Sequence, residues 1–114
     1  MKPKIVHSFC VDHDPIEQFV PHDSSEVDLW FDADIGAEGY DWSNNFQIHL
    51  VTQKSLSGVS DKSNLLVIPY YESWEQVLSA LENSIRECAA STSEEMFKKI
   101  ASKYAWEYES HNRA

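Results

Sequence analysis

Glycine is scarce in this chain: its 114 residues contain three, Gly36, Gly39 and Gly58. That leaves no glycine-rich loop to cradle a phosphate, and there is neither a GxSxG nucleophile elbow nor a Cys-His signature. An enzymatic role therefore has little support. Cysteine is scarcer still, and Cys10 and Cys88 are too far apart to form a metal or redox motif. Both read as reduced thiols in the core, where cysteine behaves as a small hydrophobe. The longest apolar run is Leu65–Ile68, far short of the ~20 residues that cross a bilayer. Nothing near Met1 resembles a secretory leader, so the expectation is a cytoplasmic protein that makes no membrane contact.

Positive charge is the other shortage. Nine Lys and Arg face nineteen Asp and Glu, for a net charge of −10. The excess is concentrated: residues 1–45 hold two lysines against ten acids, a net of −8, and the rest of the chain carries −2. Such a field repels nucleic acid and anionic lipid, and it accelerates the approach of a basic partner.

What is present is the patterning of a single α+β domain spanning 1–114. Period-two alternation predicts a strand at 5–11, with Ile5, His7, Phe9 and Val11 on one face. An acidic loop at 12–26 follows, containing His13 and His22 between prolines. Strands at 27–35 and 45–53 make a hairpin closed by a turn with Gly36 and Gly39. A polar loop leads to a strand at 65–70, whose Leu65–Ile68 segment is apolar on both faces and is placed inside the sheet. The period then changes to 3.6. Ser73 and Gln76 form a capping box, ahead of a stripe of Trp74, Val77, Leu78, Leu81, Ile85 and Cys88. A second helix opens at Glu94 and Glu95 and carries Met96, Phe97, Ile100 and Ala101. Tyr104, Trp106 and Tyr108 alternate in a last strand. The expected order is β-β-β-β-α-α-β, an antiparallel sheet of four to five strands with both helices on one face.

The segment 28–41 is the most unusual. Leu29, Phe31, Ala33 and Ile35 share one strand face, which puts Asp28, Trp30, Asp32 and Asp34 on the other. With Glu38 and Asp41 the segment holds four Asp and one Glu, and it has no Lys or Arg. Like charges in a row repel, so either hydration or a cationic partner must account for them. A calcium loop starting at Asp32 fails, because Ala37 stands where the sharp-turn glycine belongs and Ser43 where the bidentate Glu is required. Paired carboxylates on an open strand lack a pocket to separate their pKa values. Cys10, His13 and His22 match no zinc spacing. No metal or cofactor is expected. Trp30 and Trp42 are placed at exposed positions beside carboxylates, where a Trp serves as a binding anchor, with Trp42 the stronger candidate. The candidate binding residues are Asp28, Trp30, Asp32, Asp34, Glu38, Asp41 and Trp42.

Several stretches together resemble one family. These are the run from Leu29 through Phe31-Asp32-Ala33-Asp34-Ile35-Gly36 to Gly39, Phe46-Gln47-Ile48 and Thr52-Gln53-Lys54-Ser55-Leu56. Further on come Trp74 at a helix start, Thr92-Ser93-Glu94-Glu95 at another, and Trp106-Glu107-Tyr108-Glu109. The likeness, over about 27–110, is to the immunity protein 8 family of bacterial polymorphic toxin and contact-dependent inhibition systems. Gly36 and Gly39 match its GxxG turn after an "IG" pair, and its conserved aromatic corresponds to Trp106 or Trp30. The chain departs from the family's pattern at Gln53-Lys54-Ser55, where a Pro-Lys-Trp-like step is expected. The resemblance implies an inhibitor encoded beside a toxin, which binds the toxin domain and protects the producing cell, without catalysis or cofactor. The acidic strand adds a reading of its own, a basic toxin domain such as a nuclease with a positive channel. Two rival readings use the same residues: an acidic DNA mimic that blocks a DNA-binding protein, and a small metal-dependent enzyme.

Overall fold

A computed structural model describes residues 1–106. The strands are β1 (Pro3–Phe9), β2 (Asp28–Ala37), β3 (Ser43–Thr52), β4 (Leu65–Ile68) and β5 (Ala105–Trp106), and the helices are α1 (Trp74–Ile85) and α2 (Ser93–Ala101). The element order is the expected one, β-β-β-β-α-α-β. In space the sheet runs β1-β2-β3-β4, and β5 adds to β3 beside β4. The part of the last strand expected beyond Trp106 lies outside the described residues.

The β2–β3 hairpin is the centre of the fold. It pairs without a break from Asp28 opposite Val51 to Gly36 opposite Ser43. Gly36 sits within β2 and not in the turn. A Cβ there would come within 2.4 Å of the Trp42 carbonyl oxygen, so the close approach of the two strands excludes a side chain. Gly39 supplies the turn's positive φ, 85°, which costs glycine nothing and other residues strain. The Tyr40 N–H donates to the Ala37 carbonyl at 3.1 Å and closes the turn.

Three details differ from the sequence expectations. First, β1 contains a bulge between Ile5 and His7. The extra residue shifts the alternation, so Ile5 packs on the core while His7 and Phe9 are exposed on the opposite face. The strand stops at Phe9, and Val11 is exposed. Second, β4 pairs only with β3 and forms an edge of the sheet. Leu66 and Ile68 face the core, whereas Val67 is exposed. Third, β4 runs parallel to β3 in a sheet whose other pairs are antiparallel. The connection over 53–64, with a 3-10 turn at Ser55–Gly58, has the length of about a dozen residues that a parallel crossover needs.

Both helices begin where their caps dictate. The Ser73 hydroxyl accepts from the Gln76 N–H at 3.1 Å, and the Gln76 side chain accepts from the Glu72 N–H at 2.8 Å. Thr92 accepts from the Glu95 N–H at 3.2 Å, so α2 starts at Ser93, one residue before its acidic pair. Trp74, Val77, Leu81 and Ile85 of α1 and Met96, Phe97 and Ile100 of α2 are buried, with Leu78 partly so. The core lies between these helices and Leu29, Phe31, Ala33, Ile35, Phe46, Ile48 and Leu50 of the sheet. Phe31 meets Trp74 edge-on at 4.8 Å, and the Trp74 indole N–H donates to the Ser8 hydroxyl at 3.1 Å. Among the described residues no helix covers the other face of the sheet.

Candidate functional site

The uncovered sheet face presents the acidic residues of β2 in register with polar and aromatic side chains of its neighbours. Asp32 lies between Phe9 of β1 and Gln47 of β3, and Asp34 lies between His7 and Asn45. The Asn45 side-chain amide donates to Asp34 at 3.1 Å. Trp30 is paired with His49, and the two rings stack at 4.6 Å with planes 14° apart. His49 is 8% exposed and Trp30 48%, so the indole covers the imidazole and presents its remaining surface to solvent. The His49 Nε2 lies 2.5 Å from a carboxylate oxygen of Asp28, whose side chain is half exposed. The residues of β2 that point the other way, Leu29, Phe31, Ala33 and Ile35, are buried, so one strand builds the core and the charged face at once.

Of the seven candidate residues, four share this face: Asp28, Trp30, Asp32 and Asp34. Glu38 and Asp41 are exposed in and after the turn at the end of the hairpin. Trp42 is a correction. It is partly buried against the core, with its ring 5.5 Å from Phe97 and 5.3 Å from Tyr40. Trp42 extends the inward-facing positions Phe46, Ile48 and Leu50 backwards by two steps, and that spacing was the available signal for its direction. Trp30 is therefore the exposed tryptophan amid the carboxylates.

Sequence reasoning missed four contributors to the surface. His7 and Phe9 join it because of the β1 bulge, their rings stacked at 5.8 Å. His49 joins through its pairing with Trp30. Asp61, in the connection to β4, borders a hollow also lined by Asp28, Trp30, His49 and Val59. The Ser63 hydroxyl and then the Ser63 N–H hold the Asp61 carboxyl below the usual range.

The other candidates fall elsewhere. The buried Cys10 thiol donates to the Trp30 carbonyl at 3.2 Å, and His13 packs on Phe19 at 4.3 Å. Among the described residues no group of three His, Cys, Asp or Glu side chains is placed to hold a metal ion, and no helix is long and apolar enough to cross a membrane.

Comparison with known proteins finds no curated protein and no solved structure that matches the chain. The model of one protein family, immunity protein 8, matches residues 4–111. That span takes in both helices and every strand described above but for Pro3 at the start of β1, the strand that contributes His7 and Phe9 to the open face. The chain belongs to the immunity protein 8 family, and as such is an immunity protein for a toxin.

Proposed function

We propose that this immunity protein neutralises a basic toxin domain by binding it with the open face of the sheet, Asp28, Trp30, Asp32 and Asp34 forming the contact and Glu38 and Asp41 its rim. The observation that carries this reading is the half-exposed Trp30 set among carboxylates on the sheet face opposite the two helices. Interfaces are organised around a few anchors, with Trp among the most frequent. Exposed aromatic surface at Trp30 and Phe9 beside the carboxylates of Asp28, Asp32 and Asp34 fits a partner of opposite charge. The net charge of −10 gives the same preference at long range.

A toxin that acts on nucleic acid has a positive substrate channel, and an acidic face docked there excludes the substrate without any chemistry of its own. The protein then acts in the cytoplasm as a stoichiometric inhibitor. Self-protection requires capture before damage, and electrostatic steering can bring association to about 10⁸–10⁹ M⁻¹s⁻¹ at low salt. The test is stopped-flow association of the purified chain with the toxin domain encoded beside it. The rate constant should fall at least about tenfold between low salt and 0.15 M, where the screening length is about 8 Å. A rate constant insensitive to salt contradicts binding through the acidic face.

A further inference from the structure

The hollow beside Trp30 has a shape and charge more specific than the face as a whole. It lies where β2, β3 and the connection over 53–64 meet, and it is lined by Asp28, Trp30, His49, Val59 and Asp61, with Gly58 and Ser60. Its aromatic wall is flat and braced. The indole of Trp30 rests on the nearly buried imidazole of His49, 4.6 Å away and almost parallel, and His49 is in turn tied to Asp28.

Carboxylates from two different elements border the hollow, Asp28 from β2 and Asp61 from the connection. Asp61 is oriented by Ser63, whose N–H and hydroxyl donate to one of its oxygens at 2.9 and 2.6 Å. A carboxylate has two acceptor oxygens, so both Asp28 and Asp61 can take further donors. Among the described residues no Lys or Arg lines the hollow. The nearest lysine in sequence, Lys62, is tied to the carbonyl oxygens of Leu56 and Val59.

We propose that this hollow seats one arginine side chain of the toxin domain, its guanidinium laid on the indole of Trp30 and its N–H groups donating to Asp28 and Asp61. The inference rests on the reading that the open face binds the toxin, and it deepens that reading by naming the anchor. Charge complementarity selects a cation. The flat aromatic wall with acceptors beside it selects arginine over lysine, because guanidinium is planar, stacks on aromatic faces and donates in a fixed fork, whereas ammonium is a hydrated point charge.

Dissociation constants between the chain and the toxin domain encoded beside it provide the test. Asp61→Asn preserves an acceptor for Ser63 and should weaken binding about tenfold, and Trp30→Ala about 30-fold or more, each with the thermal midpoint recorded as a control on folding. The toxin's surface arginines are then changed singly to lysine. One of them should cost about tenfold against wild type and nothing further against Asp61→Asn, the signature of a direct pair. An Asp61→Asn chain that binds like wild type, or the lack of any arginine coupled to Asp61, overturns the seat. If the double reversal Asp32→Lys with Asp34→Lys still abolishes binding in that case, the toxin-binding reading stands without it. If no variant weakens binding, both fall.

Discussion

Asp32→Lys combined with Asp34→Lys is expected to weaken toxin binding by about a thousandfold, equivalent to roughly 4 kcal/mol, while the thermal midpoint stays within a few degrees of wild type. The two results separate because the two side chains lie on the uncovered face. Both are partly exposed, and they alternate with Ala33, whose inward position neither substitution touches. Reversal replaces mutual repulsion between neighbouring carboxylates with contacts of mixed sign, since Asp28 and Asp61 remain. The hydrogen bond from the Asn45 amide to Asp34 lies at a position where water can replace it. At the interface the effect is the opposite. Two lysines would meet a basic partner, and like-charge juxtaposition across an interface costs several kcal/mol. Surface plasmon resonance with a parallel thermal melt checks both halves. A large fall in the midpoint assigns these residues to the fold instead, and unchanged affinity removes the face from the interface.

Phe31→Ala gives the complementary result from the adjacent position of the same strand. Phe31 is 1% exposed and meets the indole of Trp74 edge-on at 4.8 Å. Truncation to Ala removes the ring from the junction of sheet and α1 and should cost about 3–5 kcal/mol, read from the denaturant midpoint at unchanged slope. The side chain lies beneath the sheet and has no part in the open face. Affinity for the toxin, measured at a temperature where the variant is folded, should therefore match wild type. A loss of a few tenths of a kcal/mol means that the inner face of β2 is not the core.

The inner half of the structure was legible because its signals are local. Alternation at Leu29, Phe31, Ala33 and Ile35 and the helical spacing from Trp74 to Ile85 each record one face buried along one element. Ser73 marks the start of α1 by satisfying an N–H three residues on, and the acidic pair Glu94 and Glu95 marks the first turn of α2. Strand direction was not legible. The run Leu65–Ile68 records how apolar an element is, but not which neighbour it pairs with or in which sense, and both depend on where the 53–64 connection crosses. The β1 bulge was hidden for a related reason, since a single inserted residue leaves no mark in a seven-residue strand. At the candidate site the row Asp28, Trp30, Asp32 and Asp34 could be read from one strand alone. The parts supplied by other strands and loops, His7, Phe9, His49 and Asp61, required the register. Trp42 was assigned outward from its place beside a turn, although its parity with Phe46 turns it toward Phe97.

Hydroxyl-radical footprinting of the complex with the toxin domain tests the open face as the binding surface most directly, because it reports side-chain accessibility residue by residue. Three aromatics of comparable exposure act as reporters: Phe9 at 36% and Trp30 at 48% on the open face, and Tyr70 at 50% beside the start of α1. The account predicts that toxin binding suppresses oxidation of Trp30 and Phe9 severalfold and leaves Tyr70 unchanged. Trp30 and Phe9 oxidised at the free-protein rate in a saturated complex, with protection falling on Tyr70 or on the helices, would contradict it.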